Sequence, residues 1–501
     1  MSDSPKTGAL KSPALKVWLA IFIYAVLTGC LIQLVVLPYI FPQLHAGNGL
    51  LAGRDWVGFH DQAVAHAKEI ALGGWDKFRL RTDGDNAIIG VTAFFYKVFV
   101  AKPWVLLPLS AATFATGGVA LFCMLKKLSL EDGEAGIALL PYLFFPSALL
   151  QYGQIHKDVF CTTSVLLILW SWVSLLKKER KGTDIVTFLF VNALALMLLS
   201  VFRPYFMYPL LGFGVTLLMW CSVSAVWQSV KLLTAKDKSV VLQHLTFNFQ
   251  SIAILSVVCV SAYVMSISYL DVRLQPTGSG TVASRIAFPG FIWRSNDDVR
   301  SADTSRLLRN ADEAALIKSI QECRPIVILR DDAFIENTIN RAFLKIAVAR
   351  AGFTSSGGTT AASNIDKGID FCKNEDLISY IPRALQIALF APFPSKWFST
   401  EKRNSSTLEI YTSSLEMFSS YVAYIGLFYW LVNFRHWSIE LFVPVAFALG
   451  ITVLLGLTVA NVGTLYRMRF PFAMVFISMG MAGLIRFIKA RPFARNDAVD
   501  G

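Results

Sequence analysis

Apolar residues fall along this chain in long unbroken blocks, with neither the alternation of a half-buried strand nor the one-sided stripe of a surface helix. A helix rises 1.5 Å per residue, so crossing a hydrocarbon core about 30 Å thick takes about 20 apolar residues. Blocks near that length run Leu15 to Phe41, Trp104 to Leu125, Gly136 to Leu150, Val159 to Leu176, Ile185 to Val201, Tyr205 to Trp227, Phe247 to Leu270, Met417 to Phe434, Ile439 to Ala460 and Pro471 to Phe487. The pattern predicts an all-α polytopic membrane protein of about ten transmembrane helices. No repeat at solenoid periods interrupts it, and no inverted match relates its halves.

Lysine and arginine orient these blocks. Lys6, Lys11 and Lys16 precede the first, Lys126 and Lys127 follow the second, and Lys177, Lys178, Arg180 and Lys181 follow the fourth. Lys231, Lys236 and Lys238, then Arg435, then Lys489, Arg491 and Arg495 continue the series, so every second loop is basic. Basic loops stay in the cytoplasm, which predicts inward-facing N and C termini and an even number of spans. Leu15 to Phe41 is too long for a signal core and lacks a small-residue cleavage site, so the first helix is expected to stay as an anchor. The segment Ala87 to Ala101, AIIGVTAFFYKVFVA, is short and carries Lys97. A crossing here would invert every later loop, so a re-entrant or interfacial helix within a first outer loop, 42–103, is the expectation.

The predicted organisation is an N-terminal membrane module (1–270), an outer insert (271–415) and C-terminal membrane helices with a cytoplasmic tail (416–501). Within the insert, Ser301 to Cys323 and Asp332 to Arg350 carry helical spacing, while Gly278 to Gly280 and Thr354 to Ser363 read as loops. Its exit, Tyr380 to Phe398, joins Arg383 to an apolar stretch broken by Pro392 and Pro394, which predicts an interfacial helix over 380–398. Cys30, Cys123, Cys161, Cys221 and Cys259 fall in spans; Cys323 and Cys372 share the insert, where a disulfide and two buried thiols are both open.

The net charge of +12 changes the picture little, because the basic excess lies in predicted cytoplasmic loops. Membrane lipid, including anionic lipid, is the expected partner and nucleic acid is not. The informative charges are the exceptions on the outer face: His156-Lys157-Asp158, Arg203, and Arg467 with Arg469. Cations at helix ends on one membrane face suit a lipid-borne phosphate, though each alone is also read as a charge snorkelling to the interface. The stretch Gly58 to Gly74, GFHDQAVAHAKEIALGG, reads as a water-compatible helix opened by Asp61. Ala63, Ala67, Ile70 and Ala71 give it a small apolar side and His60, Gln62, His66 and Lys68 a polar one. A carboxylate there caps the helix or accepts a proton from an attacking hydroxyl. Asp55 is the rival base, and Asp158 a cap, an ion-pair partner or an orienting acid. His60, His66 and His156 show no tight metal-ligand spacing.

The order of these features resembles the GT-C class of polyprenyl-phosphate-sugar glycosyltransferases, which includes protein mannosyltransferases and lipid A aminoarabinose transferases. The likeness rests on the Asp61 helix after a first span, the juxtamembrane Phe94-Phe-Tyr-Lys-Val-Phe, a span ending in Lys126-Lys127, FFPSALLQYGQIHKD with Pro146-Ser147 and Lys157-Asp158, and Tyr466-Arg-Met-Arg-Phe-Pro471. The resemblance implies Asp61 as first-loop acid, Asp158 as second-loop acid, and Arg203, Arg467 and Arg469 as carrier-phosphate contacts; Lys157, His156, Arg383 and Tyr152 complete the candidate phosphate- and substrate-binding set. Val64 stands where the class often has an aromatic, and the insert lies between spans rather than at the C-terminus.

The expectation is therefore a GT-C-like membrane glycosyltransferase of a bacterial inner membrane, with a periplasmic active site and a large periplasmic insert. It would move a sugar from a polyprenyl-phosphate carrier to a glycan, lipid or protein acceptor. A divalent metal, Mg or Mn, is left open as a cofactor. The rival readings are a polymerase or ligase of lipid-linked repeats, a transporter or flippase of lipid-linked sugars, and a non-catalytic scaffold. Ionisable groups gathered at one face rather than at the midplane favour chemistry over transport.

Overall fold

The computed structural model describes residues 12–52, 55–82, 86–177, 182–234, 238–274, scattered positions between 342 and 371, and residues 374–397, 407–433 and 438–490. Among them every regular element is helical, and the extended pairings are two isolated bridges, His45 with Leu51 and Asn364 with Asn461. Nine helices are long and apolar enough to span a membrane, and a bent pair makes a tenth if it counts as one crossing.

The first span, α1 (Pro13–Ile40), ends in a π-helical stretch, Ile32–Ile40, that contains Pro38. Then come two shorter helices, α2 (Asp55–Gly73) and α3 (Ala87–Val98), packed on each other. At 12 residues, α3 is about 18 Å long and cannot cross. The α4 span (Leu107–Lys127) leads to the bent pair, α5 (Asp132–Phe144) and α6 (Pro146–Gly153). The single span read over Gly136 to Leu150 is in fact broken by 69° at Phe145–Pro146. The proline ring removes an N–H and forces Phe145 out of the helical region. Ser147 N–H, left free at the start of α6, donates instead to Glu416 Oε1 at 2.5 Å.

Next are α7 (Asp158–Leu176), α8 (Gly182–Phe202), α9 (Met207–Thr234) and α10 (Lys238–Leu274). The α7 helix is buried along almost its whole length and packs against α4, α6 and α8. The later elements are α11 (Asn374–Phe390), α12 (Thr407–Val432), α13 (Ile439–Thr458), α14 (Val462–Met468) and α15 (Phe470–Ala490). The α13 and α15 helices complete the wall around α7. Where α12 crosses α15 the backbones touch: a Cβ at Gly480 would stand 2.0 Å from Ala423 O, and one at Gly483 2.0 Å from Gly426 O. Small residues substitute here for a hydrophobic driving force that lipid cannot supply.

The two ends of the bundle differ in charge. At one end Lys177 Nζ donates to Lys127 O at 3.5 Å, Arg486 donates to Leu128 O at 3.2 Å, and Lys489 pairs with Glu134 at 2.7 Å. The starts of α2 and α7, the α8–α9 turn and α14 meet at the other. Described parts of the insert sit on that second end: Ile365 N–H donates to Ala460 O at 3.0 Å, and the buried Arg350 donates to Leu457 O at 3.3 Å. The helix expected over 380–398 is α11, which begins at Asn374, stops at Phe390 and packs on α13. The α12 helix begins at Thr407, ahead of the expected 415/416 boundary. The segment Ser301 to Cys323, both loop stretches of the insert, and Cys323 and Cys372 lie outside the described residues.

Candidate functional site

Local chemistry brings four distant segments together. Trp56 is fully buried, donates from Nε1 to Leu51 O at 2.5 Å, and sets its ring 6.0 Å from that of His156. Its neighbour Asp55 opens α2, so the anchored indole holds that carboxylate beside the α6–α7 turn. Leu51 N–H in turn donates to Gln154 Oε1 at 3.1 Å, tying the loop before α2 to the same turn. Asp158 begins α7, where a carboxylate suits the free N–H groups and positive pole of a helix start. Arg203 occupies the α8–α9 turn ahead of a short 3-10 stretch, Pro204–Phe206. Arg467 sits in the last turn of α14, whose start is capped by Asn461, its side chain accepting from Thr464 N–H at 3.0 Å.

Asp158 is buried and accepts a hydrogen bond from Arg203 Nη2, while Arg203 Nη1 donates to the Tyr205 hydroxyl. His156 Nδ1 lies 3.1 Å from Asp158 N and 3.2 Å from Asp158 Oδ2, and its Nε2 lies 3.4 Å from Arg467 Nη1. The Asp158 N–H donates to Nδ1 and a guanidinium only donates, so both ring nitrogens of His156 face donors. Burial pushes His156 from its ordinary 6.5 down to about 4; Asp158 opposes the shift and Arg467 and Arg203 add to it, so the ring is neutral near pH 7. Arg467 Nη1 also donates to Asp55 Oδ2 at 3.0 Å. Burial pushes the Asp55 carboxyl up, but the charge and hydrogen bond of Arg467, helped by His156 and Lys157, hold it below the ordinary carboxylate range. Lys157 Nζ donates to Asn86 Oδ1 at 2.5 Å and stands 6.0 Å from the Phe59 ring centre.

Beside these groups lies a closed cleft, with no room for a water molecule as it stands, lined by Asp158, Cys161, Thr162, Arg203, Phe206, Arg467, Met468 and Pro471. Thr162 Oγ1 and Arg467 Nε are buried there without a hydrogen-bond partner. One donor and one hydroxyl on the same wall leave hydrogen-bonding capacity for a polar occupant. The arrangement can hold an anion at Arg467 with a carboxylate at its side. Among the described residues no three or more His, Cys, Asp or Glu side chains stand close enough together to bind a metal ion. Both Asp158 oxygens already face Arg203 and His156.

Other predicted site residues are elsewhere. Asp61 does not open α2; it lies six residues in, exposed, and makes no hydrogen bond or ion pair among the described residues. Six residues turn a helix by about 600°, which carries Asp61 about a third of the way round from Asp55. His60 and His66 lie on the buried stripe of α2 with Ala63, Ala67 and Ile70, while Ala71 is exposed, so the sides drawn from sequence are redivided. His60 Nδ1 is 2.7 Å from the Tyr96 hydroxyl and His66 Nδ1 is 3.2 Å from Glu69 Oε2. Arg469 is buried and donates to the carbonyls of Ala388 at 2.5 Å and Ala391 at 2.6 Å, closing the C-terminal end of α11. Arg383 forms a two-point pair with Asp366, at 2.9 and 3.2 Å. Tyr152 is buried against Phe114, ring centres 4.7 Å apart, and lines no part of the cleft.

Sequence reasoning missed Thr162, Asn86 and Glu416. A threonine inside an apolar span and an asparagine in a loop give no signal by themselves. Glu416 did: an acid abutting the Met417 to Phe434 block, it is buried and accepts from Tyr466 and from Ser147 N–H. No protein-family model matches the chain, and no curated protein and no solved structure matches it.

Proposed function

We propose that this chain is a GT-C-like membrane glycosyltransferase that takes a sugar from a polyprenyl-phosphate carrier on the periplasmic face of a bacterial inner membrane. One observation carries the reading: Asp55, His156, Asp158, Arg203 and Arg467, scattered over most of the sequence, converge beside one cleft at one end of the bundle. The anion-holding cation and the exposed carboxylate then border one site, and an inverting displacement uses Asp55 once it has parted from Arg467, on the face of the sugar opposite the departing phosphate. The acceptor hydroxyl gives its proton to Asp55, and its oxygen bonds to the anomeric carbon. The bond from that carbon to the phosphate oxygen breaks, and the electron pair leaves on the phosphate. Arg467, with Arg203 behind it, faces the charge that grows there, and a phosphate leaving group needs little protonation. His156, neutral and pinned between Asp158 and Arg467, orients the guanidinium. Asp158, held by Arg203, organises the site and is not its base.

The test is incubation of the purified protein with labelled prenyl-phosphate sugars, with and without EDTA, alongside two variants. Asp55→Asn is expected to lose about 10²- to 10⁴-fold in transfer rate, the worth of a positioned general base, while Asp61→Asn keeps the wild-type rate. Loss in Asp61→Asn with activity intact in Asp55→Asn would return the base to Asp61. Wild-type protein inactive on every such donor would reject the reading.

A further inference from the structure

The two arginines of the cleft are held differently. Arg203 and Asp158 are both largely buried, with side chains 12% and 7% exposed, so parting them would strand charges away from water. Arg467 instead faces Asp55, whose side chain is 57% exposed and can pass into water at little cost. The Nε of Arg467 meanwhile stays buried and unpartnered against the cleft, as does Thr162 Oγ1. A phosphate ester oxyanion can take two guanidinium N–H groups at once, the unpartnered Nε among them, so it outcompetes a largely exposed carboxylate that holds only Nη1.

We propose that the Asp55–Arg467 ion pair is a latch beside the cleft that an incoming phosphate ester opens by taking Arg467 from Asp55. The ligand anion then occupies Arg467 and Thr162, and Asp55 swings free beside it. The release has a chemical consequence: paired, Asp55 is held low by Arg467; unpaired and next to an anion, it becomes a stronger base at the moment a donor is bound. That consequence rests on the glycosyltransferase reading, whereas the exchange of anions at Arg467 stands apart from it.

Binding separates the two. Full-length protein in dodecyl maltoside is titrated with dodecyl phosphate, inorganic phosphate and dodecanol, following the thermal shift. Removing the competing carboxylate in Asp55→Asn or Asp55→Ala is expected to tighten dodecyl phosphate binding by about two- to fivefold, the strength of a part-exposed ion pair. Arg467→Gln should weaken binding by more than tenfold, and dodecanol should give no gain. In transfer assays Asp55→Asn is then a variant that binds donor phosphate better and turns over worse, a split that a merely structural Asp55 does not produce. A gain confined to dodecyl phosphate supports a lipid-borne opener, and a gain with inorganic phosphate too supports the headgroup alone. Binding unchanged or weaker in both Asp55 variants overturns the latch. The predicted binding pattern in a wild-type protein without transfer activity overturns the enzyme reading and leaves the latch standing.

Discussion

Arg203→Gln is the sharpest probe of the buried centre. It removes the charge that faces Asp158 and leaves a carboxylate whose side chain is 7% exposed without its partner. Breaking one side of a buried pair costs about 3–5 kcal/mol, because the remaining charge stays desolvated and uncompensated. The unfolding entropy of about 2 cal/mol/K per residue amounts to ~1 kcal/mol/K over the 501 residues, so the melting temperature should fall by about 3–5 °C. A smaller cooperative unit would make the fall larger. Melting is followed by the loss of monodisperse protein on size exclusion in detergent after heating. Asp158→Asn combined with Arg203→Gln removes both members of the buried pair and should recover most of the loss. The pair Arg383–Asp366 is the internal contrast: Arg383 is 40% exposed, so Arg383→Gln should cost no more than about 1 kcal/mol. An Arg203→Gln protein melting with the wild type, or a double variant falling by the sum of its singles, would refute the account of Asp158 as a buried charge held by one guanidinium.

His156 supplies a pH dependence. Its folded pKa, about 4, lies below its ordinary 6.5, so between these values the unfolded chain binds more protons than the folded one. Stability is therefore full above about pH 6.5 and lost as pH falls toward 4, by on the order of 3 kcal/mol, and His156→Asn should flatten the melting profile across that window. Gly480→Ala places a methyl 2.0 Å from Ala423 O and should cut the yield of monodisperse protein, whereas Gly136→Ala, with nothing within 4 Å, should not. A membrane-impermeant maleimide should reach single cysteines at Asp61 and Ser129 from opposite sides of the membrane, and labelling of both from one side would refute the assignment of Lys127 and His156 to opposite ends of the bundle.

Much of the scaffold was legible because a membrane span advertises itself: an apolar block of fixed length has few alternatives in lipid. The short α3 was read correctly as a non-crossing helix for the same reason. The bend at Phe145–Pro146 was harder to see, since α5 and α6 together have the length and hydropathy of one span. The α2 helix illustrates a different limit. Its first residue lies at Asp55 rather than Asp61, and a register error of six residues redirects every carboxylate on it.

The sequence alone determined that the chain lives in a membrane, how its blocks of apolar residues lie along it, and which charges stand apart from the basic loops. All three follow from local composition acting against the cost of burying polar backbone and charge in hydrocarbon. Only the tertiary structure decided which of those charges share a cleft. Arg467 and Arg469 are two residues apart, yet Arg467 turns to Asp55 while Arg469 turns to the carbonyls of Ala388 and Ala391. A helix rotates about 200° over two residues, so neighbours in sequence face different neighbours in space, and the choice rests with the packing of helices that the linear pattern does not encode.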